Sequence, residues 1–199
     1  MQAPQLRVPQ LRTRADLRAV IAEDLRAHGV DRYRWYYRFT HRIIHFQVLL
    51  RHAEYWDGCG RLCALLVAPL FRLRAVRLGE LLGFTVPMHV TGPGFSIAHA
   101  GTVTISHLAS IGSNCRVHTD VCIGEVEESA PIIGDDVWIG PGAKIFGPVT
   151  VGDGAVIGAN AVVLDDVPPG VTVADAPARI VSSRDSSRLM GVVTSANTR

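Results

Sequence analysis

The chain has 199 residues and a formal net charge of +2 at neutral pH; 48% of its residues are hydrophobic and 19% charged. That is enough apolar content for one large or two small soluble domains, and it excludes a disordered or fibrous chain. The charge is uneven: Met1–Gly83 carries 14 arginines against 7 acids, and the remainder 6 basic against 11 acidic residues. Two halves of different construction are expected.

The first half reads as helix. Residues Met1–Arg12 form a Pro- and Gln-containing arm. Thr13 is placed to cap a helix, with Asp16 at its positive end; Leu17, Val20, Ile21 and Leu25 form its apolar stripe and Gly29 ends it. A second helix is predicted from Arg32 to about Trp56. Trp35, Phe39, Ile43, Phe46 and Leu50 would share one side, with Arg32, Arg34, Arg38, Arg42 and Arg51 on other, wet faces. A third helical region covers Leu62–Leu82, kinked at Pro69. The apolar run Leu62–Phe71 is too short to span a bilayer. The basic half carries no nucleic-acid motif, so neither nucleic acid nor membrane is expected as a partner. The N-terminus has no signal-peptide pattern. Cys59, Cys63, Cys115 and Cys122 form no CxxC pair or zinc-like spacing, so a reduced, cytoplasmic protein is expected.

After the break at Pro87, Gly92 and Pro93 the period changes to six. Ile105, Ile111, Val117 and Ile123 fall six apart; after a step of ten, Ile133, Ile139, Ile145, Val151, Ile157 and Val163 resume. Glycine commonly follows the aliphatic (Gly112, Gly124, Gly134, Gly140, Gly152, Gly158), and a small or β-branched residue such as Ala109, Cys115, Ala143 or Ala155 stands two before it. Neither helix (period 3.6) nor simple strand (period 2) gives this spacing. A left-handed parallel β-helix does, with three hexads per triangular rung and the aliphatics stacked inside. The fold class is therefore α+β, with an N-terminal α-helical module over residues 1–83, a left-handed β-helix over 84–181 and a polar, disordered tail over 182–199. The step of ten is a four-residue insertion at a corner, carrying Glu125, Glu127, Glu128 and Ser129.

The segment Gly94-Phe-Ser-Ile-Ala-His99, the hexads, Ile139-Gly-Pro-Gly-Ala-Lys144-Ile-Phe-Gly, Gly158-Ala-Asn-Ala-Val-Val and Ala176-Pro-Ala-Arg179-Ile-Val resemble the hexapeptide-repeat acyltransferases, most of all the serine O-acetyltransferases. The resemblance covers Leu17–Val181. It implies acetyl-CoA as acyl donor, a small-molecule acceptor, no metal, and a homotrimer or dimer of trimers with active sites between coils. It aligns His99 with the catalytic histidine and places Gly140, Ala143, Lys144, Ala159, Ala176 and Arg179 along the CoA groove. The chemistry is coherent: a histidine accepts the proton of an alcohol as it attacks the thioester, hydrogen-bond donors hold the oxyanion, and Lys144 and Arg179 suit the CoA phosphates.

A strict repeat, however, points His99 inward, because it lies six before Ile105. The catalytic reading requires the phase to break at Gly101 or in Pro87–Gly94. His118, about one rung above His99 and close in sequence to Asp120, is the second catalytic candidate; plain surface exposure is its alternative. His107 and His89 are weaker candidates, and His28, His41, His45 and His52 read as packing or surface groups.

The resemblance has gaps. The family's supporting aspartate, about fifteen residues before the histidine, is replaced by Phe84-Thr85-Val86-Pro87, with no acid between Leu81 and Gly101. Its Arg-His-Pro acceptor segment is replaced by Ser129-Ala130-Pro131. The acceptor is thus open between serine and a sugar, modified amino acid or natural product; the acidic loop suggests either a positively charged group on the acceptor or simply a solvated surface loop. Other readings are a non-catalytic trimeric scaffold and a γ-type carbonic anhydrase, whose three-histidine spacing His107 and His118 do not reproduce. The chain ends in Arg199 without the terminal isoleucine used for sulfhydrylase docking, so that complex is not expected.

Overall fold

A computed structural model describes residues 10–190. Five helices precede the coil. α1 (Arg14–Ala27) starts at a capping box in which Thr13 and Asp16 satisfy each other's backbone N–H groups. α2 (Tyr37–Thr40) and α3 (Arg42–Gly58) replace the single helix expected from Arg32, because the backbone breaks at His41. That break takes Trp35 and Phe39 off the apolar stripe. Both are more than 60% exposed, and the Arg38 guanidinium covers their rings at 5.4 and 4.7 Å. α4 (Arg61–Leu66) and α5 (Ala68–Leu82) are divided at Val67, just ahead of Pro69. α5 stops at Gly83, whose φ of 86° is left-handed. No helix among the described residues is long and apolar enough to cross a membrane.

The coil has three faces. The first stacks β1 (Phe84–Thr85), β3 (Val103–Ile105), β6 (Val121–Gly124), β9 (Lys144–Phe146) and β12 (Val162–Val163). The second stacks β4 (Ser110–Ile111), β7 (Ile132–Ile133) and β10 (Thr150–Val151), with Thr91 and Val167 as bridges at its ends. The third stacks β2 (Ser96–Ile97), β5 (Arg116–Val117), β8 (Trp138–Ile139), β11 (Val156–Ile157), β13 (Thr172–Ala174) and β14 (Arg179–Ser182). All pairings are parallel except β13–β14. Ile105, Ile123, Ile145 and Val163 form one interior column, and Ile97, Val117, Ile139, Ile157 and Val173 another; all are at most 3% exposed. Each is worth about 1.5–3 kcal/mol over leaving it in water.

From Ile97 on, the period is interrupted three times. Eight residues separate Ile97 from Ile105, ten separate Ile123 from Ile133, and four separate Val163 from Val167. The first interruption places His99 in a widened corner between the third and first faces, where it is exposed, so the phase does break there. The second is the expected insertion. Glu127 and Glu128 turn it at φ 49° and 62°, closed by hydrogen bonds between Val126 and Ser129.

Helices and coil are joined through Arg51, which sequence pattern put on a wet face and which is 3% exposed. Its Nε and Nη2 donate to the Asp24 carboxylate at 2.8 and 3.3 Å. Nη1 donates to Glu54 at 3.0 Å and to the Thr91 carbonyl at 2.9 Å, and Nη2 also donates to the Gly92 carbonyl at 2.6 Å. Asp24 in turn accepts from Gly94 N and Glu54 from His89 N. Burial favours the neutral form of Asp24 and Arg51 opposes it; the two carboxylates hold Arg51 charged against its own burial.

Both ends differ from expectation. Leu11, assigned to a loose arm, is buried with Leu17, Val20 and Tyr55; residues 1–9 lie outside the described part. Of the tail expected to be disordered, Ser182 ends β14. Ser186 is buried, with its hydroxyl donating to the Asp136 carbonyl at 2.5 Å, and α6 (Ser187–Met190) follows; residues 191–199 lie outside the described part.

Replacing Arg51 with Ala leaves Asp24 and Glu54 buried without a cation. It is expected to lower unfolding free energy by about 3–5 kcal/mol in chemical denaturation; a loss under 1 kcal/mol would contradict the network's role.

Candidate functional site

The widened corner opens onto a cavity of about 780 Å³ between the coil and the helices. His99 and His118 both line it, their ring centroids 6.3 Å apart. His118 extends outward from the end of β5, one rung above Ala98, and its ring lies 4.6 Å from that of Trp138 on β8. His118 Nδ1 faces the Ile139 carbonyl at 3.0 Å. A carbonyl only accepts, so Nδ1 carries the proton and, in the neutral ring, Nε2 carries the lone pair. Burial lowers the His118 pKa, as do the neighbouring Arg116 and His99, while the Ile139 carbonyl works against the shift. His118 thus favours the neutral ring, held in one tautomer.

The helices contribute residues that sequence reading put down as packing or surface groups. His28, at the end of α1, and His41, at the break before α3, line the same cavity. Gln47 donates its Nε2 to the Phe95 carbonyl at 2.6 Å, which turns its Oε1 toward His28 Nε2 at 2.5 Å. His28 therefore donates at Nε2, and burial is the main cause of its lowered pKa. Arg116 and Trp138, also missed, share one outward column at the position before the inward aliphatic, in register across β5 and β8. Once Val117 and Ile139 are placed inside, alternation along the strand puts Arg116 and His118 outside together.

The remaining candidates divide. Gly140, Ala159 and Ala176 lie on the edge that continues above His118. Lys144 is at the start of β9, where its Nζ donates to the Asp120 carbonyl. Arg179 is exposed on β14, donating to the Ala178 carbonyl. Ala143 is 0% exposed within the coil interior, so its side chain cannot line a groove; its small size serves core packing. Cys115 is likewise core, its thiol pushed up to about 12 by burial. His107 stands 3.6 Å from Glu125 at the corner between first and second faces, away from His118. The acidic loop projects at that same corner, so within one chain it does not line the histidine cavity. His89 pairs with Asp57 at 3.1 Å, while His45 meets the Tyr33 hydroxyl and His52 stacks on Phe71. Among the described residues no group of three or more His, Cys, Asp or Glu is arranged to hold a metal ion.

Comparison with known proteins agrees with this architecture. Residues 130–165 match the family described as bacterial transferase hexapeptide (six repeats), which is the class the coil defines. The serine acetyltransferase of Escherichia coli K12 is 39% identical over 112 residues, which is 53% of this chain and 41% of that protein. The soybean serine acetyltransferase apoenzyme superposes with a TM-score of 0.64 at 30% identity, covering 83% of this chain and 69% of that one. A serine acetyltransferase from Brucella abortus in complex with coenzyme A gives 0.65 at 26% identity, covering 86% and 70%. Within the hexapeptide-repeat class, the chain belongs to the serine acetyltransferase family. Its match spans less than half the length of the E. coli relative.

Two pH effects follow. The His118 resonance in NMR is expected to titrate below the ordinary 6.5, and Trp138→Ala, by admitting water, should move it back toward that value. Because His28 and His118 have lowered pKa values when folded, the unfolded chain takes up protons first. Stability to urea is therefore expected to hold above pH 6.5 and fall progressively below it. A flat profile from pH 7.5 to 5.5 would count against burial of neutral rings.

Proposed function

We propose that the chain transfers an acetyl group from acetyl-CoA to the hydroxyl of a small acceptor held in the histidine cavity. The observation that carries this is the His99–His118 pair on the wall of that cavity, in a chain of the serine acetyltransferase family. His99 takes the acceptor's hydroxyl proton as its oxygen attacks the thioester carbonyl carbon. The tetrahedral oxyanion is held by backbone N–H groups of the coil edge. Its collapse breaks the C–S bond, and the CoA thiolate receives the proton back from the His99 imidazolium. The products are the acetyl ester and free CoA.

His118 fits beside this role. A second imidazolium near His99 would oppose its protonation, whereas a neutral His118 imposes no such cost. Its Ile139 carbonyl partner fixes the tautomer of this second histidine and leaves His99, the base, to be oriented by the bound substrates. The CoA arm runs along the edge of Gly140, Ala159 and Ala176, where small side chains leave room, with Lys144 and Arg179 within the same region for its phosphates. The Brucella relative was crystallised with coenzyme A, which supports CoA as the carrier of the acyl group. The assembly is a homotrimer of coils, with a neighbouring coil closing the open side of the cavity. Residues 1–83 act as the helical module and 84–181 as the transferase coil.

The test is thiol release from acetyl-CoA against L-serine and other hydroxyl acceptors. His99→Ala is expected to reduce turnover about 10²–10⁴-fold with its fold unchanged. Unchanged turnover in that variant would remove His99 from the mechanism. His118→Ala should give a smaller loss and move the acidic limb of the pH–rate profile.

A further inference from the structure

We infer that the acceptor is a hydroxy compound recognised through an anionic group, a carboxylate or phosphate held by Arg116, and not through an ammonium. This rests on the reading of the cavity as the acceptor site and narrows its substrate class. Of the residues lining the cavity, two are arginines (Arg42 and Arg116), four are histidines (His28, His41, His99 and His118), and none is Asp or Glu. A free amino acid brings an ammonium that needs a carboxylate, or several neutral acceptors, once it leaves water. No carboxylate of this chain lines the cavity to meet it.

Arg116 is half-buried, and burial lowers its pKa, so the site bears the cost of a partly desolvated cation. Among the described residues no carboxylate lies within 4.0 Å of its guanidinium. Arg116 also lines a smaller cavity of about 280 Å³ together with Glu23 and Asp136, neither of which comes within 4.0 Å to form an ion pair with it. A planar guanidinium without a counter-ion at the wall of a cavity is suited to a bidentate oxyanion. Its position sets the geometry. Arg116 and His118 are two residues apart on one strand, so their outward side chains start about 6.6 Å from each other. His99 is on the rung below, about 4.8 Å away in the stacking direction. Arg116 and the histidine pair line one cavity and Arg116 acts electrostatically on His118, so a small acceptor with its anion on Arg116 has its hydroxyl in the histidines' cavity. Arg42, exposed on the helical side, adds attraction at the mouth. The acidic loop, which in sequence suggested a positively charged acceptor, lies at another corner of the coil.

The test is ligand-observed NMR titration of the full chain with four probes of similar size: glycerate, glycerol 3-phosphate, glycerol and 2-amino-1,3-propanediol. Saturable binding is expected for glycerate or glycerol 3-phosphate, and which of the two binds better separates carboxylate from phosphate recognition. Arg116→Gln should weaken that binding about 10–100-fold, and Arg116→Lys should restore part of it. Glycerol and the aminodiol should bind no better than the anions bind Arg116→Gln. Tighter binding of the aminodiol, equal binding of glycerol, no binding of either anion, or no effect of Arg116→Gln would overturn the inference. Thiol release with the same probes reads the parent proposal separately. An anion that binds through Arg116 without being acetylated, alone or beside the other probes, would contradict acetyl transfer to this site and leave the recognition standing. Acetylation of the aminodiol in preference to glycerate would do the reverse.

Discussion

The structure depends on a charged group in its least watery place. The Arg51 guanidinium uses all five of its N–H donors on Asp24, Glu54 and the carbonyls of Thr91 and Gly92. Its two carboxylates continue to the backbone N–H groups of Gly94 and His89. Such a network adds little net stability over an apolar replacement, because desolvating three charges offsets most of the attraction. What it adds is position. Apolar packing between helix and coil tolerates sliding; a guanidinium with fixed partners on two helices and one rung does not. Gln47 repeats the device beside it, bonding the Phe95 carbonyl and aiming at His28. The cavity has its helical wall because these contacts hold α1 and α3 in register with the first rung.

That first rung is where the chain carried the least readable information. The stacked aliphatics from Ile105 to Val163 stand out because three interior columns, visited in turn, make the same steric demand at every sixth residue. The change of phase between Ile97 and Ile105 is visible only as a missing match, and it decides whether His99 faces core or solvent. Arg51 was misread for a related reason. A helix buried nearly all round offers no wet face, so the rule that arginine occupies such a face had nothing to act on. Trp35 and Phe39 were placed on a stripe that the break at His41 destroys. Arg116 and Trp138 were open to inference from strand alternation, yet their pairing across rungs depends on the four-residue insertion between them in the chain.

The site orients its second histidine without an acid. No acid precedes His99 at the family's position, and none lines the cavity. The second histidine, His118, takes its orientation from the Ile139 carbonyl, which fixes a tautomer without adding charge. A carboxylate near the histidines would compete with an anionic ligand for Arg116. A backbone carbonyl does not. Removing acids from the histidine cavity and leaving Arg116 without an ion-pair partner are therefore one arrangement, and they bear on the base and the acceptor together.

The most direct measurement is a crystal structure of the full chain with CoA. The thiol is expected beside His99 and His118 at the widened corner, with the pantetheine arm along the edge of Gly140, Ala159 and Ala176. A thiol lying instead at the corner of Glu125 and His107, with the histidine cavity empty, would contradict the assignment of the site.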